Sequence, residues 1–152
     1  MRIGIIGPES TGKSTLAQAI ATRLSGKFVQ EYARTFVEQK GTTEVSWDEL
    51  CRIAQKQIDE LAEAAEGLWI FDTELIITKV WFDYAFHSVP EWLETAIRTY
   101  PMDLYLLCLP DIPWQADAAR SNGSDAIRQE LFNRYEQEIR ELGIPYYIIR
   151  HS

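Results

Sequence analysis

The chain has 152 residues, a formal net charge of −8 and a sequence pI near 4.8. That length suits one domain over residues 1–152, with a core large enough to need no disulfide or metal staple. The acidity, with no basic cluster to offset it, excludes nucleic acid and anionic membrane as expected partners. Hydrophobic residues at 46% and charged residues at 25% are ordinary for a soluble globular protein. No apolar run approaches the ~20 residues of a membrane span, and no targeting segment is visible, so the cytoplasm is the expected compartment.

In chain order, Ile3, Ile5 and Ile6 form a first strand cut off by Gly7-Pro8. A helix is predicted from about Lys13 to Leu24, with Leu16, Ala19, Ile20 and Leu24 along one face. Phe28 to Glu31 reads as a short second strand, and Tyr32 to Gln39 as a helix stopped at Gly41. Ser46-Trp47-Asp48-Glu49 is a capping-box start. From it Leu50, Ile53, Ala54, Ile58, Leu61 and Ala65 keep helical spacing up to Gly67. The continuous apolar run Leu68 to Phe71, ending in Asp72, has the pattern of a buried parallel strand. Helices follow from Glu74 to Phe86 and from Glu91 to Tyr100. Leu104 to Leu109 is the fourth strand. Residues 110–123, rich in turn residues, read as a lid. A helix from about Ser124 to Leu142 ends at Gly143, and Tyr146 to Arg150 is the last strand, at or near a sheet edge and so a route to homo-oligomers.

Strands alternating with helices predict an α/β domain of the P-loop NTPase type. It has three layers, a parallel sheet of about five strands with helices on both faces, plus the lid. Ligands of such sheets gather beyond the carboxyl ends of the strands, where Gly7, Glu31, Asp72 and Pro110 fall. Cys51 and Cys108 lie far apart within apolar patterns and read as buried reduced thiols. His87 and His151 have no partners at metal-ligand or triad spacing.

Residues 7–14, Gly-Pro-Glu-Ser-Thr-Gly-Lys-Ser, match the G-x-x-x-x-G-K-[ST] phosphate loop between a strand and a helix. Such a loop wraps phosphate oxygens with backbone N–H groups, so Cβ atoms must be absent where it is tight, at Gly7 and Gly12. The following helix aims its N-terminal dipole at the phosphates of ATP. Lys13 belongs at the β/γ-phosphates and the Ser14 hydroxyl at Mg²⁺. Ser10 and Thr11 complete the loop, and Thr15 starts the buried face of the helix or supports the loop. Glu9 is an acid within a site for a polyanion. It either points to solvent or an arginine, or faces a second substrate that is cationic or rich in hydroxyls.

Asp72, after four apolar residues, has a Walker-B position: it holds Mg²⁺ or accepts a hydroxyl proton, while its other reading is the N-cap of the next helix. Arg120 in the lid is placed to neutralise charge on a transferring phosphoryl group. Lys79 reads as a solvated residue. Trp81, Phe82, Tyr84 and Phe86 read as core, with stacking on a base or pyridinium ring open to any one of them.

Several segments taken together, "GPESTGKSTLA", "EYAR" at 31–34, "FDTELIITKVW" at 71–81, "DLYLLCLPDIPWQADAAR" at 103–120 and "LGIPYYII" at 142–149, resemble the nicotinamide riboside kinase domain of bacterial NAD-salvage proteins, within the AAA-like P-loop kinases. The resemblance implies transfer of the ATP γ-phosphoryl group to the ribose 5′-hydroxyl of nicotinamide riboside, a small-molecule acceptor. It places Glu31, Tyr32 and Arg34 on the acceptor side, with Glu9, Asp72 and Trp114. Asp111 and Asp117 also match the family's pattern. The adenylyltransferase and DNA-binding domains of the bifunctional proteins are not expected within these residues.

Overall fold

The computed structural model describes residues 1–8, 11–42, 44–110 and 125–150. Five strands pair in parallel in the order β2-β3-β1-β4-β5. They are β1 (Arg2–Ile6), β2 (Lys27–Val29), β3 (Trp69–Asp72), β4 (Leu104–Cys108) and β5 (Tyr146–Ile149), interleaved with α1 (Lys13–Arg23), α2 (Tyr32–Lys40), α3 (Trp47–Glu63), α4 (Leu75–Phe86), α5 (Glu91–Thr99) and α6 (Asp125–Leu142). The predicted α/β sheet of five strands is present, with the last strand at one edge. The second strand is shorter than expected, because Glu31 has already turned away to stand as the N-cap of α2.

The strand period of two divides the core between the faces. Ile3, Ile5, Ile70 and Cys108 point to one side and meet Ala17 and Ala21 of α1. Ile6, Phe71, Tyr105 and Leu107 point to the other and pack under residues of α3, α4, α5 and α6. The predicted apolar stripe of α1 is therefore rotated. Ala17 and Ala21 are its buried residues, Leu16 and Ile20 only flank the contact, Ala19 is exposed, and Leu24 is 56% exposed. Small side chains at the contact let α1 seat closely on the sheet, which fixes the loop before it.

Long-range polar contacts tie the ends of the elements. The capping box of α3 forms as predicted, Ser46 Oγ accepting from Glu49 N at 3.1 Å while Glu49 accepts from Ser46 N at 3.0 Å. The last turn of α3 has no basic residue of its own. Arg2 of β1 supplies one, donating to the carbonyls of Leu61 and Ala64 at 3.4 Å each, where a cation suits the negative end of the helix. Lys79 is not simply solvated. It reaches Glu94 of α5 at 3.2 Å and Glu138 of α6 at 2.8 Å, so one cation of α4 bridges three helices. Cys108 is buried and Cys51 only half-buried, and neither forms a disulfide among the described residues.

Candidate active site

The two described ends of the loop after β1 pack against each other. A Cβ on Gly7 would lie 2.9 Å from the Cys108 carbonyl oxygen and 3.1 Å from Thr11 Oγ1, so no larger residue fits there. The buried Thr11 hydroxyl donates to the Pro8 carbonyl at 2.9 Å. Gly12 is the N-cap of α1 at φ 77°, a left-handed conformation that glycine adopts without strain. Among the described residues no side chain caps that N-terminus, and its first turn holds no acid, so its N–H groups suit an anion. Lys13 and Ser14 are the first residues of the helix.

Ser14 faces Asp72. Its hydroxyl donates to Asp72 Oδ2 at 2.6 Å, while Oδ1 is buried with no partner among the described residues. β3 pairs Asp72 with Ile5, two residues before Gly7, which brings the carboxylate to the base of the loop. Burial pushes the Asp72 carboxyl above its ordinary range, and the Glu31 carboxylate adds to this; the Ser14 bond, Lys13 and Arg34 work against it. Residues from α1, α2 and the ends of two strands thus share one electrostatic neighbourhood.

The next two residues form a tight turn into α4. Thr73 has φ 69°. For a β-branched residue this costs on the order of 1–3 kcal/mol. Its N–H donates to the Ile5 carbonyl at 3.0 Å, yet its own hydroxyl is buried without a partner among the described residues. The helix N-cap is Glu74, whose carboxylate accepts from Ile76 N at 3.0 Å, so the cap reading of Asp72 is corrected. The Asp72 carboxylate takes no part in that cap. Glu74 is wholly buried and shares a hydrogen bond with the Tyr105 hydroxyl of β4. The Tyr105 ring crosses β1 at Gly4, where a Cβ would sit 2.9 Å from it.

Burial outweighs these hydrogen bonds and raises the Glu74 carboxyl from 4.5 to about 7. The folded state therefore holds this proton more tightly than the unfolded chain. The contribution is full below about 4.5 and is lost as pH rises through about 7, by roughly 3 kcal/mol. Melting temperatures of the metal-free protein should fall between about pH 5 and about pH 8, and Glu74→Gln, which keeps an acceptor for Ile76 and Tyr105, should flatten that slope. Equal slopes for the two proteins would show that Glu74 does not titrate in this window.

A cavity of about 230 Å³ opens beside the loop. Gly7, Lys13, Glu31, Arg34 and Thr73 give it a polar end, and Val37, Ile53, Ile77, Trp81 and Phe86 an apolar and aromatic wall. Four residues expected at the site from sequence, Gly7, Lys13, Glu31 and Arg34, meet in this space, while Ser14 and Asp72, next in sequence to the lining residues Lys13 and Thr73, are joined to each other. Arg34 also pairs with Glu38 one helical turn on, at 3.1 Å. Two expectations differ. Thr15 is exposed and starts no buried face. Tyr32 packs against Phe36 and the core, outside the cavity lining. Of the aromatic stretch, Phe82 is core, whereas Trp81 and Phe86 reach the cavity. Glu9, Ser10, His151 and the expected lid, with Asp111, Trp114, Asp117 and Arg120, lie outside the described residues.

Nothing in the sequence brings Thr73, Glu74 and Tyr105 together. Their meeting depends on the register that sets Gly4 of β1 beside Tyr105 and Phe71. The oxygens of Ser14 and Asp72, one of them buried and unpartnered, are a hard donor set that fits Mg²⁺. No group of three or more His, Cys, Asp or Glu among the described residues could hold a metal unaided. Mg²⁺ in phosphate sites needs only one or two protein ligands beside the phosphates.

A five-stranded parallel sheet, a strand–glycine loop–helix phosphate cradle and an acid ending the neighbouring strand define the P-loop α/β class, in its kinase-type arrangement. The chain belongs to an AAA domain family, whose profile matches residues 2–152. It is 27% identical over 150 residues to the trifunctional NAD biosynthesis/regulator protein NadR of Escherichia coli, covering 95% of this chain. With the NadR of Salmonella typhimurium it shares 26% over 156 residues, covering 99%. The chain spans 37% and 38% of the lengths of these relatives. Among solved structures, NadR in complex with NAD and AMP-PNP superposes with a TM-score of 0.74 at 25% identity, over 97% of this chain and 43% of that one. NadR in complex with NR gives 0.76 at 23%, over 97% and 42%. Thymidylate kinase from Ehrlichia chaffeensis shares the fold at a TM-score of 0.72 and 12% identity, over 100% and 87%.

Proposed function

We propose that this domain is an ATP-dependent kinase of a small nucleoside, with the ribose 5′-hydroxyl of nicotinamide riboside as the first acceptor to test. The observation that carries the reading is one continuous cavity, running from Lys13 of the phosphate loop to an aromatic wall at Trp81 and Phe86. The kinship with NadR, one of whose structures holds NR and another AMP-PNP, supports the choice of ligands. Glu31 at the polar end suits a cationic, hydroxyl-rich acceptor, and the aromatic wall suits a flat ring.

In the reaction the acceptor oxygen forms a bond to the γ-phosphorus as the bond from that phosphorus to the β,γ-bridging oxygen breaks, giving the phosphorylated nucleoside and ADP. Lys13 and the N-terminal amides of α1 hold the β/γ-phosphates in line with the alcohol. Mg²⁺, held by Ser14 and Asp72, would neutralise charge spread over the phosphates. The alcohol proton leaves to a carboxylate, and Asp72 and Glu31 are the two grouped at this end. A loose transition state asks little of either as a base. Arg120 of the lid is assigned to the transferring group and Trp114 to the acceptor, while Glu9 and Ser10 complete the loop.

ADP release should rise by about two orders of magnitude when nicotinamide riboside is added with ATP and Mg²⁺, because a bound, oriented alcohol outcompetes water. A panel of other ribo- and deoxyribonucleosides fixes the acceptor. A low rate indifferent to every alcohol would instead mark a slow nucleotide switch.

A further inference from the structure

Nothing in the reaction outlined above uses Thr73, yet this residue carries two unfavourable features at once. Three non-glycine residues among those described have positive φ. Ser25 follows the end of α1 and His87 is the C-cap of α4, and left-handed residues are routine at helix ends. Thr73 lies between a strand and a helix start, has a branched Cβ, and gains no such explanation from its position. Its hydroxyl is in addition buried and unbonded among the described residues, at 6% residue exposure.

The surroundings hold it there. Its N–H is fixed to Ile5, the following carboxylate to Ile76 N and to Tyr105, and Tyr105 is seated in the space that Gly4 leaves open. A left-handed residue restrained by three elements and lining a cavity with Lys13 and Glu31 is the arrangement expected where a ligand supplies the missing bond.

We propose that Thr73 is a substrate-contacting residue whose hydroxyl hydrogen-bonds the alcohol end of the nucleoside acceptor, orienting it beside Asp72 and Lys13. This rests on the acceptor reading given under Proposed function. The hydroxyl can donate to a ribose oxygen or accept from a ribose O–H.

The test is calorimetric titration of nicotinamide riboside and a nucleoside panel into the protein with AMP-PNP and Mg²⁺, alongside AMP-PNP titration and thermal unfolding. The proteins compared are the wild type, Thr73→Val, Thr73→Ser and Thr73→Gly. Thr73→Val should weaken the acceptor about 10-fold and leave AMP-PNP within about twofold, while Thr73→Ser stays close to wild type. Thr73→Gly is the decisive variant: freed of the left-handed strain, it should unfold at or above the wild-type temperature yet bind the acceptor as poorly as Thr73→Val. If Val and Gly bind acceptor like wild type, Thr73 is only a structural residue and the kinase reading stands. If the wild type binds AMP-PNP but no nucleoside, the acceptor reading fails, and the role of Thr73 with it.

Discussion

Lys13→Ala should lower kcat/KM for phosphoryl transfer by about 10³-fold, the scale of losing one preorganised charge-stabilising donor. The site makes the loss severe. Glu31 lines the same cavity and the Asp72 carboxyl feels its charge, so without Lys13 a polyanion would meet two carboxylates opposed chiefly by Arg34. The amides of α1 would still bind phosphate, so AMP-PNP affinity should fall less than turnover, by about 10-fold. Lys13→Arg should not restore the rate, because a planar guanidinium does not replace a compact ammonium at a crowded loop. ADP release and calorimetry on the three proteins check this. A Lys13→Ala protein with near-normal turnover would mean that the phosphates lie elsewhere.

Asp72→Asn should lower kcat by about 10²–10⁴-fold while leaving the fold intact. Asparagine keeps the shape and can still accept from Ser14, so the variant removes the charge and little else. The apparent Mg²⁺ requirement should rise. Stability should move the other way. Burial already disfavours the ionised Asp72 carboxyl, and one of its oxygens has no partner among the described residues. The metal-free Asn variant should therefore unfold at or above the wild-type temperature near neutral pH. Falling activity with undiminished stability marks a group kept for chemistry. A large loss of melting temperature would make Asp72 a structural residue and remove this support for the site.

How much of this was legible beforehand differs by residue. The phosphate loop was readable because its function constrains backbone: Gly7 and Gly12 stand where a Cβ would collide or where φ is positive. Asp72 was readable because an acid ending an apolar strand is a local pattern. Glu31 was legible at a strand's carboxyl end and, with Arg34, through the resemblance, and the parallel pairing of β2 with β3 carries α2 to the same cavity. The face of α1 was misassigned because sequence periodicity ranks residues by hydrophobicity, whereas the sheet selected the small ones, Ala17 and Ala21. The cap of α4 was only the alternative reading of Asp72, and it falls two residues later, at Glu74, because the turn at Thr73 sets where the helix begins.

The sequence by itself determined the alternation of strand and helix, the phosphate loop and the acid that faces it. These are local, encoded in spacing and in glycines whose backbone no other residue can adopt. Only the tertiary structure decided that a strained threonine, a buried glutamate and a tyrosine from another strand converge behind that acid. Contacts of this kind depend on the register of β1 against β3 and β4, which no single segment specifies. The side chains involved, at positions 73, 74 and 105, acquire their roles from what is packed beside them.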